Sequence, residues 1–389
     1  MDRFPTEIVS SIFHHLEEDH HDLFTCTLVN QWFYATVNPL LWRTIWLKCS
    51  DTEELFFDRL VAAHHPVGQH IRCINLEYTT WTDDSLSLLM THVSDLEELW
   101  LHFTKNVSDQ VIQQLLHHYP NLRLLHLGKC RLTPSTWYML GGQLKALHLD
   151  RCQGVPPDLF ASTRSLSQLE ELWIDLNEIY NPLPPEEEDV DEDDNNDDEQ
   201  ETCWMMEDDT IADMKHVLNE LTHLQVTGRF SVDVVPRLFT THMIVVWPHL
   251  TTLILDECER LDNDTLIAFL QSHPKLHTLH LCRAPMVDTV LDTMATCLPD
   301  LSVLQLRYSR QITHHGLRRL IQRGSRRLRD VFVLNCMIFA KHFPEITMHK
   351  SWGMLGPLGA VWLKQETIRK IQLDFSRQGI IDSQQEQQQ

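Results

Sequence analysis

Apolar residues recur along this chain in the frame L-x-x-L-x-L. The frame is filled by "LEELWLHFT" from Leu96, "LRLLHLGKC" from Leu122, "LKALHLDRC" from Leu144 and "LEELWIDLN" from Leu169. It continues with "LTHLQVTGR" at Leu221, "LTTLILDEC" at Leu250, "LHTLHLCRA" at Leu276, "LSVLQLRYS" at Leu301 and "LRDVFVLNC" at Leu328. "IRCINLEYT" at Ile71 and "IRKIQLDFS" at Ile368 fit with Ile in first place, for eleven units in all. Eight of the ten steps between unit starts are 22 to 29 residues; the others are 52, a doubled step or an insertion, and 40. Within a unit, the fourth and sixth positions alternate with outward residues as in a short strand. The stretch from Ser108 places Val111, Ile112, Leu115, Leu116 and Tyr119 at helical spacing. A strand and a helix in about 25 residues cannot bury their own apolar face, so neighbours must stack. The predicted fold class is an α/β solenoid with a curved parallel sheet inside and helices outside, and a small all-α module in front of it.

An array that grows in one dimension accounts for 389 residues without a single large core. The formal net charge of -23 argues against nucleic acid as a partner, because phosphate backbones repel such a chain. Much of the charge lies in "EEEDVDEDDNNDDEQE", which holds 12 acidic residues in 16 positions. With so little apolar content, the segment 183-207 is expected to be a disordered insertion. The longest apolar region, "WGMLGPLGAVWL", is too short to cross a bilayer and no signal-peptide pattern opens the chain. A cytoplasmic or nuclear location, or both, with no membrane partner, is expected. None of the ten cysteines sits in a C-x-x-C pair, and Cys130, Cys152, Cys258 and Cys336 share one place in the repeat, so they read as packed, reduced thiols.

The repeat resembles the leucine-rich-repeat family, in its cysteine-containing form, over residues 71-376. Ahead of it lies "FPTEIVSSIFHHL", with Ile8, Ile12, Phe13 and Leu16 on one helical face, followed by "HDLFTCTLVNQWFYATV" and the predicted turn "NPLLW". So small a module carries more large apolar side chains than its own core can cover, so some face a partner. Phe4-Pro5, Glu7, Ile12-Phe13, Val29 with Trp32, and Leu41-Trp42 resemble the F-box, with Phe4 where that family has Leu. The domains then read as an F-box at 1-48, a connector helix at 49-70, the repeats, and a disordered Gln-rich tail at 377-389.

The resemblance implies the substrate-recognition subunit of a Skp-cullin-F-box ubiquitin ligase, a receptor that tethers and does no chemistry itself. Pro5, Ile8, Ile12, Leu28, Val29, Trp32, Leu41 and Trp42 would bind the Skp-type adaptor, which brings a cullin, while the repeat arc holds an unidentified protein substrate. Two other readings stay open: an F-box scaffold that binds the adaptor without serving a ligase, and a stand-alone leucine-rich-repeat interaction protein.

No catalytic motif, phosphate loop or metal-ligand spacing appears, so no catalytic residue, metal or cofactor is expected. The fifth position of each unit points outward. There Trp100, His126, His148 and Trp173 are expected to form a concave ladder, flanked by His102, Phe103 and Arg151, as the substrate-binding surface. Imidazoles between two indoles would make that surface sensitive to mild acid. The stretch Met337 to Gly359 would add a rim insertion, and arginines from Arg307 to Arg329 form a basic cluster whose default is a solvated face.

Overall fold

The computed structural model describes residues 8, 11-13, 15-16, 20-47, 51-62, 67-76, 80-152, 166-175, 218-227, 247-346 and 360-374. Pro5, the acidic insertion, the rim segment from 347 to 359 and the Gln-rich tail lie outside those residues. The chain divides into two compact units, Met1–Leu169 and Glu170–Gln389.

The first unit opens with α1 (His20–Thr27) and α2 (Gln31–Leu41). Asn30 caps α2, its Oδ1 accepting the Phe33 N–H at 2.9 Å. Phe13, Leu23, Phe33 and Val37 form the module's buried core, with Leu16, Cys26, Leu40 and Leu41 packed against it. The expected turn at Asn38 and Pro39 is instead helical. Only two helical residues follow Pro39, and the Trp42 N–H still reaches the Asn38 carbonyl at 3.2 Å. Helix α3 (Asp51–Ala62) and a 3-10 turn (Val67–His70) lie within the segment 49-70 read as a connector helix.

Strands β1 (Thr44–Leu47), β2 (Cys73–Leu76), β4 (Glu98–Leu101), β6 (Leu124–Gly128) and β7 (Ala146–Asp150) run parallel in one register. Strands β2, β4, β6 and β7 bury their fourth and sixth repeat positions, such as Leu99 with Leu101 and Leu125 with Leu127, while Ile45 and Leu47 of β1 are half-buried. In a separate two-stranded sheet, β3 (Thr80–Thr82) pairs with β5 (Phe103–Asn106). Helices α4 (Asp83–His92), α5 (Asp109–His118) and the single turn α6 (Pro134–Trp137) intervene between strands, and α5 turns Val111, Ile112, Leu115 and Leu116 inward.

In the second unit β8 (Glu171–Asp175), β9 (His223–Thr227), β10 (Thr252–Leu255), β11 (Thr278–Cys282), β12 (Val303–Arg307) and β13 (Asp330–Leu334) are parallel neighbours in chain order. Because β8 pairs directly with β9, Glu171 opposite His223, the 52-residue step is an insertion and not a missing repeat. Helices α7 (Asn263–Ser272), α8 (Asp288–Cys297) and α9 (His314–Arg323) bury Leu266, Leu270, Val290, Leu291, Leu317 and Leu320.

The two ends of the array depart from the expected pattern. Residues 365-374, read from "IRKIQLDFS" as the last strand, are helical, with Ile368 and Ile371 buried. Those two isoleucines are three apart, a spacing that serves one helix face as well as a strand frame. The last strand is β14 (Ala360–Lys364), antiparallel to β13. At the other end, "WRTIWL" supplies a repeat strand inside the segment assigned to the F-box, with Arg43 O accepting the Arg72 and Cys73 N–H groups as Arg72 O accepts those of Glu97 and Glu98.

A backbone feature recurs after the strands. Lys129, Arg151, Glu257, Arg283, Tyr308 and Asn335, all at the eighth repeat position, have φ between 51° and 59°. This left-handed turn aims the backbone N–H at the next repeat, as in Lys129 N to Asp150 O at 2.7 Å and Tyr308 N to Leu334 O at 2.8 Å. Arg283 N to Arg307 O, at 2.7 Å, is a third bond of this kind, and such bonds offset in part the strain that non-glycine residues bear there. The ninth position fits a small side chain: Cys130, Cys258, Ala284, Ser309 and Cys336 are buried there. The eight described cysteines are free thiols.

Candidate functional site

The outward fifth position of the first unit carries Trp46, Asn75, Trp100, His126 and His148 side by side, since Trp46 faces Asn75, Asn75 faces Trp100, Trp100 faces His126 and His126 faces His148 across the strands. Trp100 does not stand as an isolated plate. Its indole stacks on His126, with centroids 5.1 Å apart and planes at 22°, and meets the edge of His148 at 5.1 Å. His102 lies against the same pair, 6.0 Å from Trp100 and 4.6 Å from His126, and its Nε2 is 2.9 Å from Asn75 Oδ1.

This packing corrects two expectations. His126 and His148 are only 3% and 4% exposed, so they support the surface from beneath and do not form it. Burial, reinforced by His102, His148 and Arg151, pushes the His126 imidazole down to about 3, so it remains neutral through mild acid and supplies no switch there. The cause is geometric. Side chains on adjacent parallel strands are about 4.8 Å apart, and an indole is wider than that, so Trp100 covers its smaller neighbours.

Half-buried Phe103, on β5, has the Lys129 ammonium 4.7 Å above its ring. Arg151 clasps Asp150 through two hydrogen bonds of 2.7 and 2.8 Å, so part of its donor capacity is already used. Trp173 belongs to the second unit, half-buried on β8 and opposite Gln225 of β9.

On the N-terminal module, Ile8, Ile12, Leu28, Val29 and Trp32 are exposed, Leu28 at 71%. Phe24 and Tyr34, which the sequence reading passed over, are exposed beside them on α1 and α2. Leu41 and Trp42 are half-buried, Leu41 packing against the module core.

In the second unit the same row brings together His280, Gln305, Phe332 and Trp362. Phe332 and Trp362 meet edge to face at 6.0 Å, and the Lys364 ammonium sits 3.4 Å over the indole while pairing with Asp330 at 2.8 Å. Trp362 was missed because β14 runs against the repeat direction. Three arginines of the basic cluster pair with acidic neighbours: Arg318 with Glu345, Arg319 with Asp288 and Asp292, and Arg327 with Asp300.

Among the described residues no group of three His, Cys, Asp or Glu side chains is placed to hold a metal ion, and no helix is long and apolar enough to cross a membrane. Residues 1-48 match the F-box-like family. No curated protein matches the chain. Among solved structures it is similar to the yeast Rad7 and Elc1 complex, at 14% identity over 85% of this chain and 72% of that one, with a TM-score of 0.42. It is also similar to the leucine-rich-repeat-containing protein LegL7 from Legionella pneumophila, at 11% identity over 75% of this chain and 89% of that one, with a TM-score of 0.38. The family match thus covers the N-terminal module, and stacked strand-and-helix repeats follow it in the chain.

Proposed function

We propose that this protein is the substrate receptor of a Skp-cullin-F-box ubiquitin ligase. The carrying observation is the surplus of exposed apolar side chains on the F-box-like domain, Ile8, Ile12, Leu28, Val29 and Trp32, beyond those its own core of Phe13, Leu23, Phe33 and Val37 uses. A Skp-type adaptor covers them and, with Pro5, Leu41 and Trp42, joins the chain to a cullin. The repeats hold a protein substrate, with Trp100, His102, Phe103 and Arg151 as the contacts of the first unit. Ubiquitin transfer is accelerated by confining the acceptor lysine near the donor, which requires no reacting group in this chain. Cys130, Cys258 and Cys336, buried at one repeat position, support assigning the repeats to the cysteine-containing type.

Affinity purification of the full chain tests the reading. Co-purification of adaptor and cullin is the expected result. Adaptor alone would favour a non-ligase scaffold, and neither would favour a stand-alone repeat protein.

A further inference from the structure

The outward face of the strands β1, β2 and β4 contains a slot that the sequence reading did not assign. In the row Trp46, Asn75, Trp100, a short side chain lies between two indoles, one on β1 and one on β4. The row behind it repeats the arrangement, with Cys73 between Thr44 and Glu98. The result is a cleft of about 450 Å³ whose lining includes Trp46, Trp100, Asn75, Cys73, Glu98 and Arg72. Two strand spacings separate the indole-bearing backbones by about 9.6 Å, enough for one inserted side chain and too little for a helix of about 10–12 Å diameter.

The walls are fixed before any partner arrives. Trp100 is held by its stack on His126 and its contact with His148. Asn75, 7% exposed, is held by the His102 ring. Cys73 stays a neutral thiol, its pKa pushed up to about 12 by burial and by the neighbouring Glu98 carboxylate. Trp46, by contrast, is 56% exposed.

The charges select the occupant. Arg72 lies 3.6 Å from Asp95 and 3.7 Å from Glu97, so its charge is offset locally. Glu98 is exposed at the slot wall. Arg43 also lines the cleft and is the counterweight to Glu98. Two indole faces attract a cation, a carboxylate accepts a guanidinium fork, and a chain of net charge -23 draws basic partners. We infer that this slot binds the guanidinium side chain of an arginine presented by an extended segment of a partner protein, stacked between Trp46 and Trp100 and hydrogen-bonded to Glu98. Arginine suits the site better than lysine because its planar head both stacks and forms the fork. As a substrate contact this rests on the receptor reading; as a binding site it stands without it.

The test uses the purified full chain on nonapeptide pools that differ only in a fixed central residue: Arg, Lys, Ala, Asp or Trp. Retention of the Arg pool at least fivefold above the Ala pool, and above the Lys pool, is expected. Glu98→Gln, an exposed change, and Trp46→Ala should each reduce that preference to below twofold. A preference for the Asp pool would overturn the inference in favour of recognition by Arg43, and a preference for Trp would make the slot an aromatic pocket. An Arg preference unchanged by Glu98→Gln would reduce the effect to general attraction by an acidic chain and also overturn it. Adaptor co-purification of the same proteins reads the receptor proposal separately: a wild type that selects arginine without recruiting adaptor would retain the slot and refute the ligase.

Discussion

Asp288, the first residue of α8, accepts both the backbone N–H of Thr313 at 2.7 Å and its hydroxyl at 2.6 Å, while Thr313 caps α9 by accepting the Gly316 N–H at 3.1 Å. Asp109 makes the same pair of bonds to Thr133 in the first unit, at 3.0 and 2.7 Å. The acidic residue at one helix start thus holds the cap of the next. A Cβ on Gly316 would lie 2.3 Å from the Asp288 carboxylate, so the glycine makes room for this link.

Asp288→Ala removes the acceptor of an exposed Thr313 N–H that water can then reach, and is expected to cost about 0.5–1.5 kcal/mol. Gly316→Ala should destabilise in the same direction by displacing the carboxylate. Urea unfolding of the full chain measures both; a midpoint equal to wild type for Asp288→Ala would show that the link contributes nothing.

Trp100→Ala removes the ring that covers His126. The imidazole, now held at about 3, should titrate closer to its ordinary 6.5 once water reaches it. Ring-proton chemical shifts followed against pH report this directly. An unmoved titration would mean that the strands alone, and not the indole, keep His126 dry.

Stability should fall in mild acid. His126 is depressed to about 3 and His280 to about 4, the latter by burial and then Arg307, partly opposed by Asp330, against 6.5 when unfolded. Below pH 6.5 the unfolded chain takes up protons that these buried rings refuse. Their stabilisation is therefore complete above pH 6.5 and is lost as pH falls toward 4 for His280 and 3 for His126, at up to about 1.4 kcal/mol per pH unit for each ring. Comparing urea midpoints at pH 7 and 5 for wild type and His280→Gln tests the sign; an equal or larger pH dependence in the variant would contradict it.

Leu28→Asp with Val29→Asp should abolish adaptor capture and leave thermal unfolding within a few degrees of wild type, because both side chains are exposed. Leu41→Ala is expected to lower stability as well, since Leu41 packs on the module core. Retained adaptor binding by the double variant would move the interface away from the α1 and α2 junction.

The sequence by itself determined the repeat, because a strand's period of two and a helix's three-to-four spacing are local constraints legible in Leu99, Leu101, Val111, Ile112 and Leu115. It also marked the apolar surplus of the N-terminal module. Where the frame was ambiguous, pairing decided: β8 beside β9 made the long step an insertion, residues 365-374 became a helix, and "WRTIWL", disguised by Trp42 in the place of a leucine, became the first strand. Only the tertiary structure decided which outward residues stay exposed. Alternation places Trp100, His126 and His148 on one face, but the width of an indole against the spacing of strands is what buries the two histidines, and a small Asn75 between two large neighbours is what opens the slot.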